Sequence, residues 1–176
     1  MKYVSVVRPP AFGKKISSFN DTAAKAVNGV SDVVQFGDKI AVLASNTWAA
    51  MKGKKALKVE WTSDGTLEST SQHDKELNKI LDGKGLDVRR EDGNVKKAFA
   101  EADNVIERTY ESPFLPHNCM EPMNFYANVT EEKVHLVGPI QTPAGTARRI
   151  ANLIERNPED IHLEMTRMGG GFGRRL

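Results

Sequence analysis

The chain has 176 residues, with 25 Lys and Arg against 23 Asp and Glu and 39% apolar residues. That length allows one ordinary domain or two small ones with packed cores, and the near-balanced charge gives no argument for nucleic acid as a partner. No apolar run is long enough to span a bilayer, and the single cysteine, Cys119, excludes an internal disulfide or a cysteine-built cluster within this chain.

In chain order, YVSVVR (residues 3–8) alternates and is rich in β-branched residues, so it reads as a strand ended by Pro9 and Pro10. A second extended piece is expected at Lys15 to Phe19. Asn20 and Asp21 precede a short helix, TAAKAV, with Gly29 at its stop. SDVVQF and KIAVLA flank Gly37-Asp38, the signature of a hairpin with a type II′ turn. Asn46 caps a helix through TWAAMKGKKAL, and LKVEW returns as a strand. This order is the split βαβ pattern of a small α+β domain. Trp48 and Trp61 are expected as core anchors, and the basic run from Lys52 to Lys58 as a solvated helix face.

Residues 63–93 are polar and charged and read as a linker, with one short helix near Asp74 to Leu81. Asn94 to Ala102 reads as a helix, and VIERTYE, NFYANV and KVHLVG as strands. Thr142-Pro143 opens a helix, with Thr as cap and Pro at the first position, where its missing N–H costs nothing. Its apolar face is Ala147, Ile150, Ala151 and Ile154. Asn157-Pro158 closes that region, and the strand IHLEMT leads into RMGGGFGRRL.

Three features carry chemistry. Gly169, Gly170 and Gly171 lack side chains, so their N–H groups can approach a ligand and form an anion-binding nest. Phe172 adds an apolar wall, Gly173 continues the loop, and Arg174 and Arg175 supply positive charge. The spacing fits neither a Walker loop nor a dinucleotide fingerprint. The plain alternative is a flexible turn. Gln141 lies between a strand and a helix N-terminus, where the dipole favours anions; the alternative is an ordinary loop residue. In HNCMEPM, His117 and Cys119 are too few to define a metal site. Glu121 is open to two readings: a desolvated carboxylate with a raised pKa, or a satisfied group beside a core of Cys119, Met120 and Met123. A glycine-rich loop is normally held by a following element, so the end at Leu176 reads as an interior point of a longer protein, with a frayed tail as the alternative.

Together, VVRPPAFGKKISSF, IAVLASNTWAAMKGKKALKVEW, HNCMEPMNFYA, GPIQTPAGTARRIA and RMGGGFGRRL resemble, in order, the isoquinoline oxidoreductase branch of the xanthine dehydrogenase and aldehyde oxidase superfamily. The resemblance implies an a/b hammerhead domain over residues 1–62, a linker over 63–93 and the first part of a molybdopterin-binding α+β domain over 94–176. It implies a molybdenum–pterin cofactor, with 2Fe–2S clusters on a small partner subunit and the remainder of the large subunit as the other partner. By the same resemblance, Gln141 would hydrogen-bond an oxygen of the molybdenum centre. Gly169, Gly170, Gly171, Phe172, Gly173 and Arg174 would line that centre, with the backbone amide of Phe172 touching it, and Glu121 would border the substrate channel. The implied reaction is hydroxylation of an N-heteroaromatic ring carbon or an aldehyde with water-derived oxygen. The family's general-base glutamate is expected beyond Leu176, which would leave this chain inactive alone. MKYVSVVRPP lacks a signal peptide's apolar stretch, and the compartment, periplasmic or cytoplasmic, stays open. A small-ligand or partner-binding module on the same fold, without catalysis, remains the competing reading, as does an assembly domain whose loop docks on another subunit.

Overall fold

The computed structural model describes residues 1–65, 67–83 and 89–176, and the chain divides into two compact units, Met1–Gly93 and Asn94–Leu176. Both are α+β.

In the first unit, β1 (Tyr3–Val7), β4 (Lys39–Ala44) and β3 (Val30–Phe36) form an antiparallel sheet in the order β1-β4-β3. β2 (Lys14–Asn20) and β5 (Lys58–Ser63) form a separate antiparallel pair. The strand and helix order read from the sequence is thus realised in two sheets. Every second residue of β4 is buried: Ile40, Val42 and Ala44 are fully enclosed, because β4 is central and one pleat face meets the helices. The β3–β4 turn pairs Phe36 with Lys39, and Gly37 alone has positive φ (55°), as a type II′ turn requires.

The helix α1 (Thr22–Lys25) is shorter than the sequence suggested, and Asn20 rather than Asp21 supplies its side-chain acceptor, to the N–H of Thr22. The helix α2 (Thr47–Ala56) is capped by Asn46, whose Oδ1 accepts from the N–H of Ala49. It buries Ala49, Ala50 and Gly53. A Cβ on Gly53 would lie 2.8 Å from both Val30 and Val42, so the helix approaches the β1-β4-β3 sheet only because that position is glycine. Trp48 is not a core anchor: it is 66% exposed on the outer face of α2, with the Lys52 ammonium 5.3 Å from its ring centroid. Small residues won the inner face because the backbones pack so closely, and an indole has no room there. Trp61 is half-buried. In the polar stretch, a helix, α3, runs over Thr70–Leu81 with Ser69 as its cap and buries nothing; residues 66 and 84–88 of that stretch lie outside the described residues.

The second unit begins with α4 (Val95–Glu101), capped by Asn94. VIERTYE is not a strand. Its alternation would need a neighbouring ladder, and among the described residues none pairs with it, so Val105, Ile106 and Tyr110 stand exposed. The sheet has the order β6-β7-β8, built from Tyr126–Val129, Val134–Gly138 and Ile161–Met165, with β7–β8 parallel. The connection between these two is α5 (Pro143–Leu153), which starts with Pro143 in its first turn as expected, whereas the Thr142 side chain makes no capping hydrogen bond. Ala147, Ile150, Ala151 and Ile154 pack as expected against Val134, Leu136 and Ile161. This core is small, so its parts matter. Leu136, 2% exposed, is expected on replacement by alanine to cost about 2–5 kcal/mol through lost burial and a cavity. Urea unfolding followed by the second unit's amide signals checks this.

Candidate functional site

Parallel strands joined by a helix release their C-terminal ends on the same edge, the place where α/β units gather ligands. Here β7 and β8 finish in register, Gly138 opposite Met165, and the N–H of Thr166 donates to the Gly138 carbonyl at 3.1 Å. The chain leaving β7 passes through buried Ile140 to Gln141, one residue before the cap of α5. The chain leaving β8 becomes the glycine loop. The two outgoing segments therefore meet, and this is how Gln141 and Gly169–Arg175 come together from 28 or more positions apart.

Gln141 is stitched into the loop. Its Oε1 accepts from the N–H of Gly173 at 3.1 Å and of Arg175 at 3.3 Å, while its own N–H donates to the Arg175 carbonyl at 2.8 Å. With the amide oxygen doubly occupied, the side-chain NH2 is the group left to donate, and it has no acceptor among the described residues. The loop itself is bent by positive φ at Gly170 (93°), Phe172 (50°) and Gly173 (80°). Phe172 is the exception to the glycine rule, since a bulky residue there is a strained choice, and such strain concentrates at functional segments. The N–H of Arg174 closes a turn on the Gly171 carbonyl. Among the described residues the N–H groups of Gly170, Gly171 and Phe172 donate to no acceptor.

The segment 117–124 holds the loop from the other side. Glu121 Oε2 accepts from the N–H of Gly169 at 2.6 Å and from Arg175 Nη2 at 2.9 Å. Arg175 also donates from Nε to the Gly170 carbonyl at 3.0 Å and from Nη2 to the Glu121 carbonyl at 3.1 Å. The Cys119 thiol donates to the Gly171 carbonyl at 3.6 Å. Glycine is required here for space: a Cβ on Gly169 would fall 2.7 Å from Glu121 Cβ, and one on Gly171 2.5 Å from Gln141 Cδ.

Several expectations change on this geometry. The Glu121 carboxyl is not raised. The Gly169 N–H, the Arg175 guanidinium and the Asn124 amide hold it below the usual glutamate value, against an opposing effect of burial. Cys119, Met120 and Met123 do not pack a core: Met120 is fully exposed, Met123 is half exposed, and Cys119 serves the loop. Arg174 is exposed, but Arg175 is 3% exposed and spent on the protein itself, so only the first of the two arginines offers charge outward. The Arg175 Nη1 is buried without a hydrogen-bond partner among the described residues. His117 does not form a metal cluster with Cys119. The group that does gather possible ligand atoms, His135, His162 and Glu164, was not anticipated, because it depends on the register of two strands.

A family model described as the molybdopterin cofactor-binding domain matches residues 72–176, more than half of the chain. The chain belongs to the molybdopterin cofactor-binding domain family. The cofactor of that family is the molybdenum–pterin group, and the donor set of the loop fits its oxygens: three backbone N–H groups and the NH2 of Gln141, none with an acceptor among the described residues. Among relatives of this molybdopterin-binding chain, the membrane-bound aldehyde dehydrogenase [pyrroloquinoline-quinone] of Gluconacetobacter polyoxogenes is 28% identical over 96% of the chain and 23% of its own length. The nicotinate dehydrogenase large molybdopterin subunit of Eubacterium barkeri is 25% identical over 100% of the chain and 49% of its own length. The chain thus spans less than half of either relative. The crystal structure of quinoline 2-oxidoreductase from Pseudomonas putida 86 superposes with a TM-score of 0.67 at 16% identity, over 99% of this chain and 28% of that one, which shows a shared fold.

Proposed function

We propose that this chain forms one wall of the molybdenum–pterin site in the large subunit of a molybdenum hydroxylase. The enzyme would be an oxidoreductase that hydroxylates an N-heteroaromatic carbon or an aldehyde with water-derived oxygen. A small subunit carrying 2Fe–2S clusters would take the electrons away. Residues 1–62 of the first unit are read as the a/b hammerhead domain. The observation that carries the proposal is the joining of Gln141 to the glycine loop, which leaves the Gln141 NH2 and the N–H groups of Gly170, Gly171 and Phe172 as donors with no acceptor among the described residues.

When bound, the molybdenum–pterin group supplies two-electron redox chemistry and activation of a water-derived oxygen. The work of this chain's own residues is positional and electrostatic. The NH2 of Gln141 donates a hydrogen bond to a polar oxygen, and because its amide oxygen is held by two backbone N–H groups, no reorganisation is needed when charge develops there. The successive N–H groups of residues 170–172 form a nest for negative charge. The exposed Phe172 ring gives the site an apolar wall that excludes water, and Arg174 adds positive charge at the rim. Glu121 borders the substrate channel through the loop it holds, since Oε2 already accepts two hydrogen bonds.

The test is the complete subunit produced with its iron–sulfur partner. Molybdenum and pterin content is expected at stoichiometric levels in that complex. Gln141→Ala is expected to lower turnover about 100- to 1,000-fold, the range for loss of one preorganised donor, while the thermal unfolding midpoint changes little. Wild-type turnover in that variant removes Gln141 from the site, and absence of cofactor from the wild-type complex removes the proposal.

A further inference from the structure

We infer that the outer face of the β6-β7-β8 sheet carries a binding site for a divalent transition-metal ion, formed by His135, His162 and Glu164. This goes beyond the function proposed above and does not depend on it. β7 and β8 run parallel with His135 directly opposite His162, and residues opposite each other project from the same face. Glu164, two residues after His162, returns to that face by the period of the strand. The opposite face is the one buried beneath α5 through Val134, Leu136 and Ile161, so these three side chains lie away from that core.

The result is a close set of ligand atoms. Glu164 Oε1 lies 2.8 Å from His135 Nε2 and 3.1 Å from His162 Nε2, and the three atoms all fall within 4.8 Å of one another. Bonds of about 2.0–2.2 Å in a tetrahedral centre place ligand atoms roughly 3.3 Å apart. A cation therefore enters by a small outward shift of side chains on a fixed backbone. The imidazoles are 5.1 Å apart between centroids, and Tyr126 packs edge-on against His135 at 5.8 Å, which limits that ring's rotation. Two imidazoles and one carboxylate suit zinc, nickel or copper rather than magnesium or calcium, which prefer oxygen. Three protein ligands leave a fourth position for water or for a group from another molecule.

The competing account is a surface network in which one carboxylate serves two histidines and no metal binds. Zinc(II) titration of the untagged, chelator-stripped chain against a chromophoric competitor separates the two. The expected result is one zinc per chain with a micromolar dissociation constant, and ring resonances of His135 and His162 that shift together in NMR. His162→Ala and Glu164→Gln should each weaken binding by at least the roughly tenfold that loss of even an outer partner of a metal site costs. Their side chains are 69% and 53% exposed, so the unfolding midpoint should stay in place. His117→Ala should leave zinc binding unchanged. Binding no tighter than millimolar, or binding lost with His117→Ala and kept with His162→Ala and Glu164→Gln, overturns the site.

Discussion

Gly171→Ala is expected to lower turnover of the complete enzyme by about 100-fold, the effect of misplacing a reacting geometry by roughly 1 Å, while the chain still folds. The reason lies in what the new methyl group meets. It would fall 2.5 Å from Gln141 Cδ and 2.6 Å from Oε1, at the far end of a flexible side chain rather than at backbone. The main chain can stay where it is, and the Gln141 amide must leave. Its two accepted hydrogen bonds, from Gly173 and Arg175, are lost together, and the NH2 that they hold in place loses its fixed position. Gly171→Ala should therefore match Gln141→Ala in its kinetic defect, and combining the two should add little beyond either alone. Steady-state kinetics with metal content measured in parallel checks this. Full turnover in Gly171→Ala would mean that the amide's position has no bearing on the chemistry.

Glu121→Ala is expected to open the glycine loop. The buried guanidinium of Arg175 would lose its only carboxylate partner among the described residues, and the Gly169 N–H its acceptor. An uncompensated buried charge is strongly unfavourable, so the loop should release Arg175 to water. Amide exchange at Gly173 and Arg175, protected now by Gln141, should accelerate about tenfold or more if that opening is local. Glu121→Gln keeps an oxygen for Gly169 but no charge for Arg175, and should fall between. Acid should reproduce the effect. The folded-state value of Glu121 is depressed, with the Gly169 N–H as the largest cause and Arg175 contributing. Its stabilisation is thus present above the unfolded value and lost as pH falls through the folded one. Loop amides should lose protection only below the ordinary glutamate range. Protection that is unchanged in Glu121→Ala would mean that the loop is held by Gln141 alone.

The local elements were largely legible because their causes are local. Asn46 caps the helix that follows it, Gly37-Asp38 turns the β3–β4 hairpin, and the spacing of Ala147, Ile150, Ala151 and Ile154 set the buried face of α5. Trp48 was misjudged because composition says that indoles are usually buried, whereas the close approach of α2 admitted only Ala49, Ala50 and Gly53. VIERTYE was misjudged because alternation describes a strand's faces and not its neighbour.

The sequence by itself determined that this is an α+β chain with a glycine loop able to receive a ligand, because turn glycines, caps and apolar periods act over a few residues. It also carried the motif resemblance that pointed to a molybdenum–pterin cofactor. Only the tertiary structure decided what each polar side chain serves. Arg174 and Arg175 are neighbours of one type, yet one faces solvent and the other is buried on Glu121 and the Gly170 carbonyl. His135 and His162 became a pair only through the parallel register of β7 and β8. Partners distant in sequence are chosen by strand register and loop closure, and no local period encodes either.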